Sequence, residues 1–196
     1  MKKTLFAALV CCMLAPMAIS QAAPAAPAAP AAPQAPPNFA TWLRNAYTTT
    51  RGYIAKAAEK MPEENYGLRP GAQEEVRTFG KLIGHLANAN YNYCSSAKGE
   101  ANPNQGNDFE KVTAKADLVK ALNDSLAYCD AAYGALTDTS AMETVQITTP
   151  QGRQVQFVRA TRLVANHAHN NEHYGNLVTY MRIKGIVPPS SEPRTP

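Results

Sequence analysis

Four stretches of this chain repeat their apolar residues at three- and four-residue intervals. That period confines the foldable part to a packing of helices. Over 38–60, Phe39, Trp42, Leu43, Ala46 and Tyr47 recur at helical spacing, and Asn38 stands where a cap is expected. Over 75–97 the stripe is Val76, Phe79, Ile83, Leu86, Asn90 and Cys94. Over 115–136 it is Leu118, Leu122, Leu126, Cys129 and Tyr133. A fourth stretch covers 158–184. Gly185 can end it, and Pro188 and Pro189 bar continuation. Between the third and fourth stretches the period drops to two. Val145, Ile147, Val155 and Phe157 flank a ThrProGlnGly turn, the pattern of a short β-hairpin. The link between the second and third stretches, 98–114, is long. Short links force antiparallel neighbours, whereas a long one permits a crossover. The expected fold is all-α: a four-helix bundle with a small hairpin between helices three and four.

The ends of the chain lie outside that pattern. Lys2 and Lys3 precede an uncharged apolar run over 5–19, and Ser20-Gln21-Ala22 offers small residues for cleavage. This predicts a secretory signal peptide over 1–22. The run falls short of the roughly 20 apolar residues of a spanning helix. Cys11 and Cys12 fall within it. Residues 23–37 are nearly all alanine and proline and can build no core, so they read as a semi-rigid linker. The expected domain is 38–187, with 188–196 as a tail. Removing Lys2 and Lys3 with the signal leaves 17 basic against 15 acidic residues. A nearly neutral chain without a basic patch argues against nucleic acid. No later segment is apolar enough for a membrane. The expected location is outside the cytoplasm, periplasmic or extracellular. A homodimer is compatible with the sequence, and no small-molecule substrate can be named from it.

Cys94 stands late in the second helix and Cys129 late in the third. Were those helices parallel, the sulfurs could meet at similar height, and an exported chain favours a disulfide. Two buried free thiols are the other reading, since sequence supplies no Cα spacing.

The chain has 4 histidines, three of them in Asn166-His167-Ala168-His169-Asn170-Asn171-Glu172-His173. His169 and His173 are one helical turn apart, so they share a face and can grip one metal ion. A solvated helix face is the competing reading. The helical wheel puts Leu163, Tyr174, Leu177, Val178 and Met181 on one side. The pair shares the other with Arg162, Asn166, Asn176 and Tyr180. His167 points to the Leu163 side and is read as structural. A third ligand must come from elsewhere. His85, beside Leu82 and Ala89 at the rim of the second helix, is the remaining histidine. The residues alone leave it open as a ligand or as a packed rim side chain. Three histidines with open positions suit a catalytic metal rather than a closed structural site. Imidazole accepts several divalent ions, and zinc and nickel head the candidates here.

The segments RTFGKLIGHLANANYNYC and HNNEHYGNLVTYMRIKGIVPPSS, with YGLRP before them, resemble the DinB-like family of metalloenzymes that includes YfiT, its secreted members above all. The resemblance implies an up-down-down-up four-helix bundle. It also implies a divalent metal bound by His85, His169 and His173, with Gly175 in its expected place. Asn176 departs from the family, where glutamine is common. A second motif competes: His169-Asn170-Asn171-Glu172-His173 matches the inverted zinc-protease string H-x-x-E-H. That class takes a carboxylate ligand far downstream, and here the single later acidic residue is Glu192. Glu172 is a weak candidate as a catalytic base, with a solvated helix glutamate as the plainer reading. The family implies a metal-dependent transferase or hydrolase, with thiol transfer and hydrolysis as the expected chemistries. The alternative is a non-catalytic metal-binding or interaction bundle.

Overall fold

The computed structural model describes residues 38–149 and 151–193. The expected signal peptide and alanine–proline linker lie outside the described residues. Helix α1 spans Phe39–Lys60, and the Asn38 side chain caps it by accepting from the Thr41 N–H. Helix α2 spans Phe79–Lys98 and ends on Gly99 at φ +75°, a left-handed turn that glycine adopts without strain. Helix α3 spans Lys115–Gly134. A short helix α4, Asp138–Ala141, follows behind a Thr137/Ser140 capping box. Strands β1, Thr144–Thr148, and β2, Gln154–Val158, pair antiparallel with Val145 opposite Phe157 and Ile147 opposite Val155. Helix α5 spans Arg159–Ile183. Among the described residues no helix is long and apolar enough to cross a membrane.

The direction of each helix follows from its contacts. Gly80 faces Leu118, Asn90 meets Ser125, and Cys94 meets Cys129, so α2 and α3 run parallel. Thr50 bonds Asn171 and Tyr53 stacks on Tyr174, so α1 and α5 are parallel too. Asn90 reaches Asn166 while Tyr180 reaches back to Arg77, so α2 and α5 are antiparallel. The bundle is therefore up-down-down-up, and the long link after α2 is the crossover that lets α3 run beside it.

The core has two apolar ends with a polar layer between them. One end gathers Ile54, Ile83, Leu86, Leu122, Leu177 and Met181. The other holds Leu43, Tyr47, Tyr133 and Leu163 around the Cys94–Cys129 disulfide, whose Cα atoms are 5.3 Å apart. Between them Asn90, Ser125, Asn166 and Asn170 are fully buried. Asn166 and Asn170 donate to Asn90 Oδ1 at 2.9 and 3.1 Å, and Asn90 donates to Ser125 Oγ at 3.2 Å. Buried amides are costly unless paired, so this layer holds α2, α3 and α5 in one register.

Two expectations change, and one competing reading falls. Helix α2 starts at Phe79, not at residue 75. Thr78 accepts from the Lys81 N–H, and the YGLRP loop takes the first-turn donors: Phe79 N–H to Leu68 O and Gly80 N–H to Tyr66 O. Phe39 and Trp42 are exposed, because α1 buries the face of Leu43, Tyr47, Thr50 and Ile54. The polar side of α5 is not a solvated face. Asn166, Asn170, His173 and Tyr180 are buried there, with the Asn166 and Asn170 amide nitrogens donating to Asn90 and the Asn170 Oδ1 left without a partner among the described residues. Past Gly185 the chain turns back. Pro189 is buried in the 3-10 turn Pro189–Ser191, and Ser190 N–H donates to the Tyr174 hydroxyl.

Candidate metal centre

His85 projects from the second turn of α2, and His169 and His173 from the middle of the antiparallel α5. The crossing of those helices, registered by Asn90, brings the three rings together. Their ligand nitrogens all lie within 4.8 Å of one another. His169 Nε2 is 3.1 Å from His85 Nε2 and 3.2 Å from His173 Nε2. An ion about 2.0–2.1 Å from each imidazole nitrogen in tetrahedral geometry sets them a little over 3 Å apart. Three imidazoles turned to a common point also form a donor set that borderline divalent ions favour. The residues fit a divalent metal.

Burial drives the protonation state the same way. His169 is pushed down to about 4, first by burial, then by the His173, His85 and Arg77 charges around it. His173 is lowered as well, mainly by burial. Neutral imidazole is the ligating form, so both nitrogens are free of excess protons at neutral pH.

The outer ring nitrogens differ. His85 Nδ1 lies 2.8 Å from Glu110 Oε1, and Arg77 grips the same carboxylate through Nε at 2.8 Å and a terminal nitrogen at 3.3 Å. Burial raises the Glu110 carboxyl, but hydrogen bonds from Arg77 and His85 override it and leave it below its ordinary value. His173 Nδ1 has the Asn176 amide at 3.2 Å. A half-turn of that amide presents its oxygen and leaves His173 Nε2 free to ligate. His169 Nδ1 is buried without a partner among the described residues.

The cluster opens on two sides. A pocket of about 310 Å3 is lined by His85, Asn88, Ala89, Asn92, Tyr93 and His169. Another, of about 290 Å3, includes Arg77, Leu82, His173, Asn176 and Tyr180. At the first mouth, Tyr93 lies 5.6 Å from the His169 ring. The Arg162 guanidinium stacks between Tyr93 and Phe157 at 4.7 and 4.5 Å.

The structure brings His85, His169 and His173 together and leaves His167 out, beside Asn171. Glu172 is exposed and makes none of the site's hydrogen bonds. Glu110, Arg77 and Tyr93 are the site residues that sequence reasoning missed. Glu110 sits in the crossover, in the 3-10 turn Phe109–Lys111. One local signal for it exists: Gly84, a glycine inside a helix next to His85.

The chain is a four-helix bundle with three clustered histidines between α2 and α5 placed where they could hold a metal ion. The chain belongs to the DinB superfamily, whose model matches residues 46–177. Among solved structures it is similar to the DinB-like protein YjoA of Bacillus subtilis, at 20% identity and a TM-score of 0.56, over 79% of this chain and 96% of that one. It is similar to YfiT of Bacillus subtilis, a four-helix bundle of unusual topology, at 14% identity and a TM-score of 0.50, over 79% and 94%. It also resembles a mycothiol-dependent maleylpyruvate isomerase at 16% identity and a TM-score of 0.52, over 71% of this chain but 61% of the isomerase. No curated protein matches the chain in sequence.

Proposed function

We propose that this is an exported, DinB-like metal-dependent enzyme of the thiol-transferase or hydrolase type, with zinc or nickel on His85, His169 and His173. The observation that carries the reading is the convergence of three imidazole nitrogens at a point reached from two pockets. YfiT is described as a probable metal-dependent hydrolase and the isomerase as mycothiol-dependent, and both support a metal- or thiol-dependent reaction. A divalent ion supplies Lewis acidity, which lowers the pKa of a water or thiol and polarises a carbonyl. The chain supplies the neutral imidazoles, the buried amide layer behind them and the aromatic wall of Tyr93.

The test is metal analysis of untagged protein, followed by thiol and ester substrates offered to the loaded form. One equivalent of zinc or nickel with turnover in either screen is the expected result. Stoichiometric metal without turnover, or a fourth protein ligand on the ion, would favour a non-catalytic metal-binding bundle. Absence of metal after incubation with either ion would end both readings.

A further inference from the structure

We propose that Glu110, clamped by Arg77, is a positioning residue that fixes the His85 proton on Nδ1 and so offers Nε2 to the metal. The inference rests on the metal reading above and names a group outside the three ligands.

The contact itself decides the tautomer. An ionised carboxylate only accepts, so the 2.8 Å contact between Glu110 Oε1 and His85 Nδ1 requires the hydrogen on Nδ1. In neutral imidazole that leaves Nε2 as a lone pair. Nε2 is the atom facing His169. Arginine only donates, so Arg77 cannot compete for that hydrogen and instead holds the carboxylate in place. The Arg77 backbone is itself held, because its carbonyl accepts from the Tyr180 hydroxyl of α5.

Glu110 reaches His85 because several features bring the crossover against α2. A Cβ on Gly84 would stand 2.3 Å from the Phe109 carbonyl oxygen and 2.8 Å from the Glu110 nitrogen. Only glycine permits that approach. A glycine inside a helix costs about 0.5–1 kcal/mol relative to alanine, so the closeness is bought at a loss of helix stability. Asn88, one turn beyond His85, then locks the segment. Its Oδ1 accepts from the Phe109 N–H at 3.2 Å and its Nδ2 donates to Asp108 Oδ1 at 2.9 Å. Asp108 in turn accepts from the Glu110 N–H at 3.0 Å. Gly84, Asn88, Asp108 and Arg77 all serve to set one carboxylate on one ring nitrogen. Carboxylates in this position raise ligand basicity and orient the ring, and losing one costs about 10- to 100-fold in metal affinity.

The experiment has two arms. Long-range nitrogen–proton correlation spectra of metal-free wild-type protein report which His85 nitrogen carries the proton. The Nδ1–H form is expected, and a dominant Nε2–H form overturns the proposal without any substitution. Competition with a chromophoric chelator then compares zinc affinity in wild type, Glu110→Ala and Lys111→Ala. Glu110→Ala is expected to lose the tautomer preference and about 10- to 100-fold in affinity. Lys111→Ala, on the exposed side of the same turn, is expected to change neither. A Glu110→Ala protein with wild-type affinity, or with His85 still in the Nδ1–H form, overturns the assignment. If wild-type protein binds neither zinc nor nickel, the functional reading fails, while the tautomer arm still judges Glu110.

Discussion

His169 is the hinge of the centre, because both short nitrogen–nitrogen approaches end on it. His169→Ala should therefore abolish stoichiometric metal while far-ultraviolet circular dichroism stays near wild type. His173→Ala should do the same with a larger fall in melting temperature, since that side chain is buried at 8% exposure and leaves a hole. His167→Ala should keep its metal, and metal content by mass spectrometry separates the three cases. A metal-free His167 variant would show the phase of α5 to be misread. The His169–His173 pair was legible because four-residue spacing and helical phase are local properties, whereas His85 was assigned only through the family resemblance. The surroundings of all three were not legible. The sequence shows asparagines at 90, 166 and 170 without showing that they bond one another, so a solvated face stayed open as a competing reading of that side of α5. Glu110 was out of reach for another reason. It lies 25 residues from His85, in a segment without periodicity, and its place depends on a backbone approach at Gly84.

At the scale of elements, the helices were legible because each buries one stripe, and the hairpin because its period is two. The start of α2 was not, because a loop that follows no pattern caps it. The parallel course of α2 and α3 was open in the sequence, and the disulfide depends on it. Cys94 and Cys129 are 35 residues apart and both fully buried. A bridge closing a loop of that size contributes about 2–4 kcal/mol, chiefly by restricting the unfolded chain. The Cys94→Ser/Cys129→Ser double variant should thus melt measurably earlier, with metal stoichiometry retained because the centre lies on the far side of the Asn90 layer. Differential scanning calorimetry checks the first part. A wild-type melting temperature in the variant would mean that the bridge is energetically idle.

At the scale of the whole molecule, an ion that binds only the folded chain stabilises it by mass action, about 2.7 kcal/mol at a hundredfold excess over Kd. The pH dependence follows from His169. Its folded value of about 4 lies below an unfolded value near 6.5, so the neutral form's contribution is complete above about 6.5 and is lost as pH falls toward 4. The zinc-induced rise in melting temperature should be large at neutral pH, persist near pH 5 and fade as pH falls toward the folded His169 value of about 4. In His85→Ala it should be blunted at every pH. An undiminished rise in that variant would leave only a two-histidine site on α5. Both long-range fastenings, the Cys94–Cys129 bond and the histidine centre, end on α2. They join it to α3 on one side and to α5 on the other, whereas α1 carries no fastening. It is held by the Tyr47–Tyr133 stack at 3.7 Å, the Arg51–Asp130 ion pair, hydrogen bonds from Thr50 to Asn171, from Tyr47 to the Leu126 carbonyl and from Arg44 to the Tyr133 and Leu136 carbonyls, and apolar packing. Oxidised and metal-loaded, the molecule is three helices riveted in series under a removable stave. Amide hydrogens of α1 should then exchange well ahead of those in α2, α3 and α5, and reduction with chelation should erase the difference.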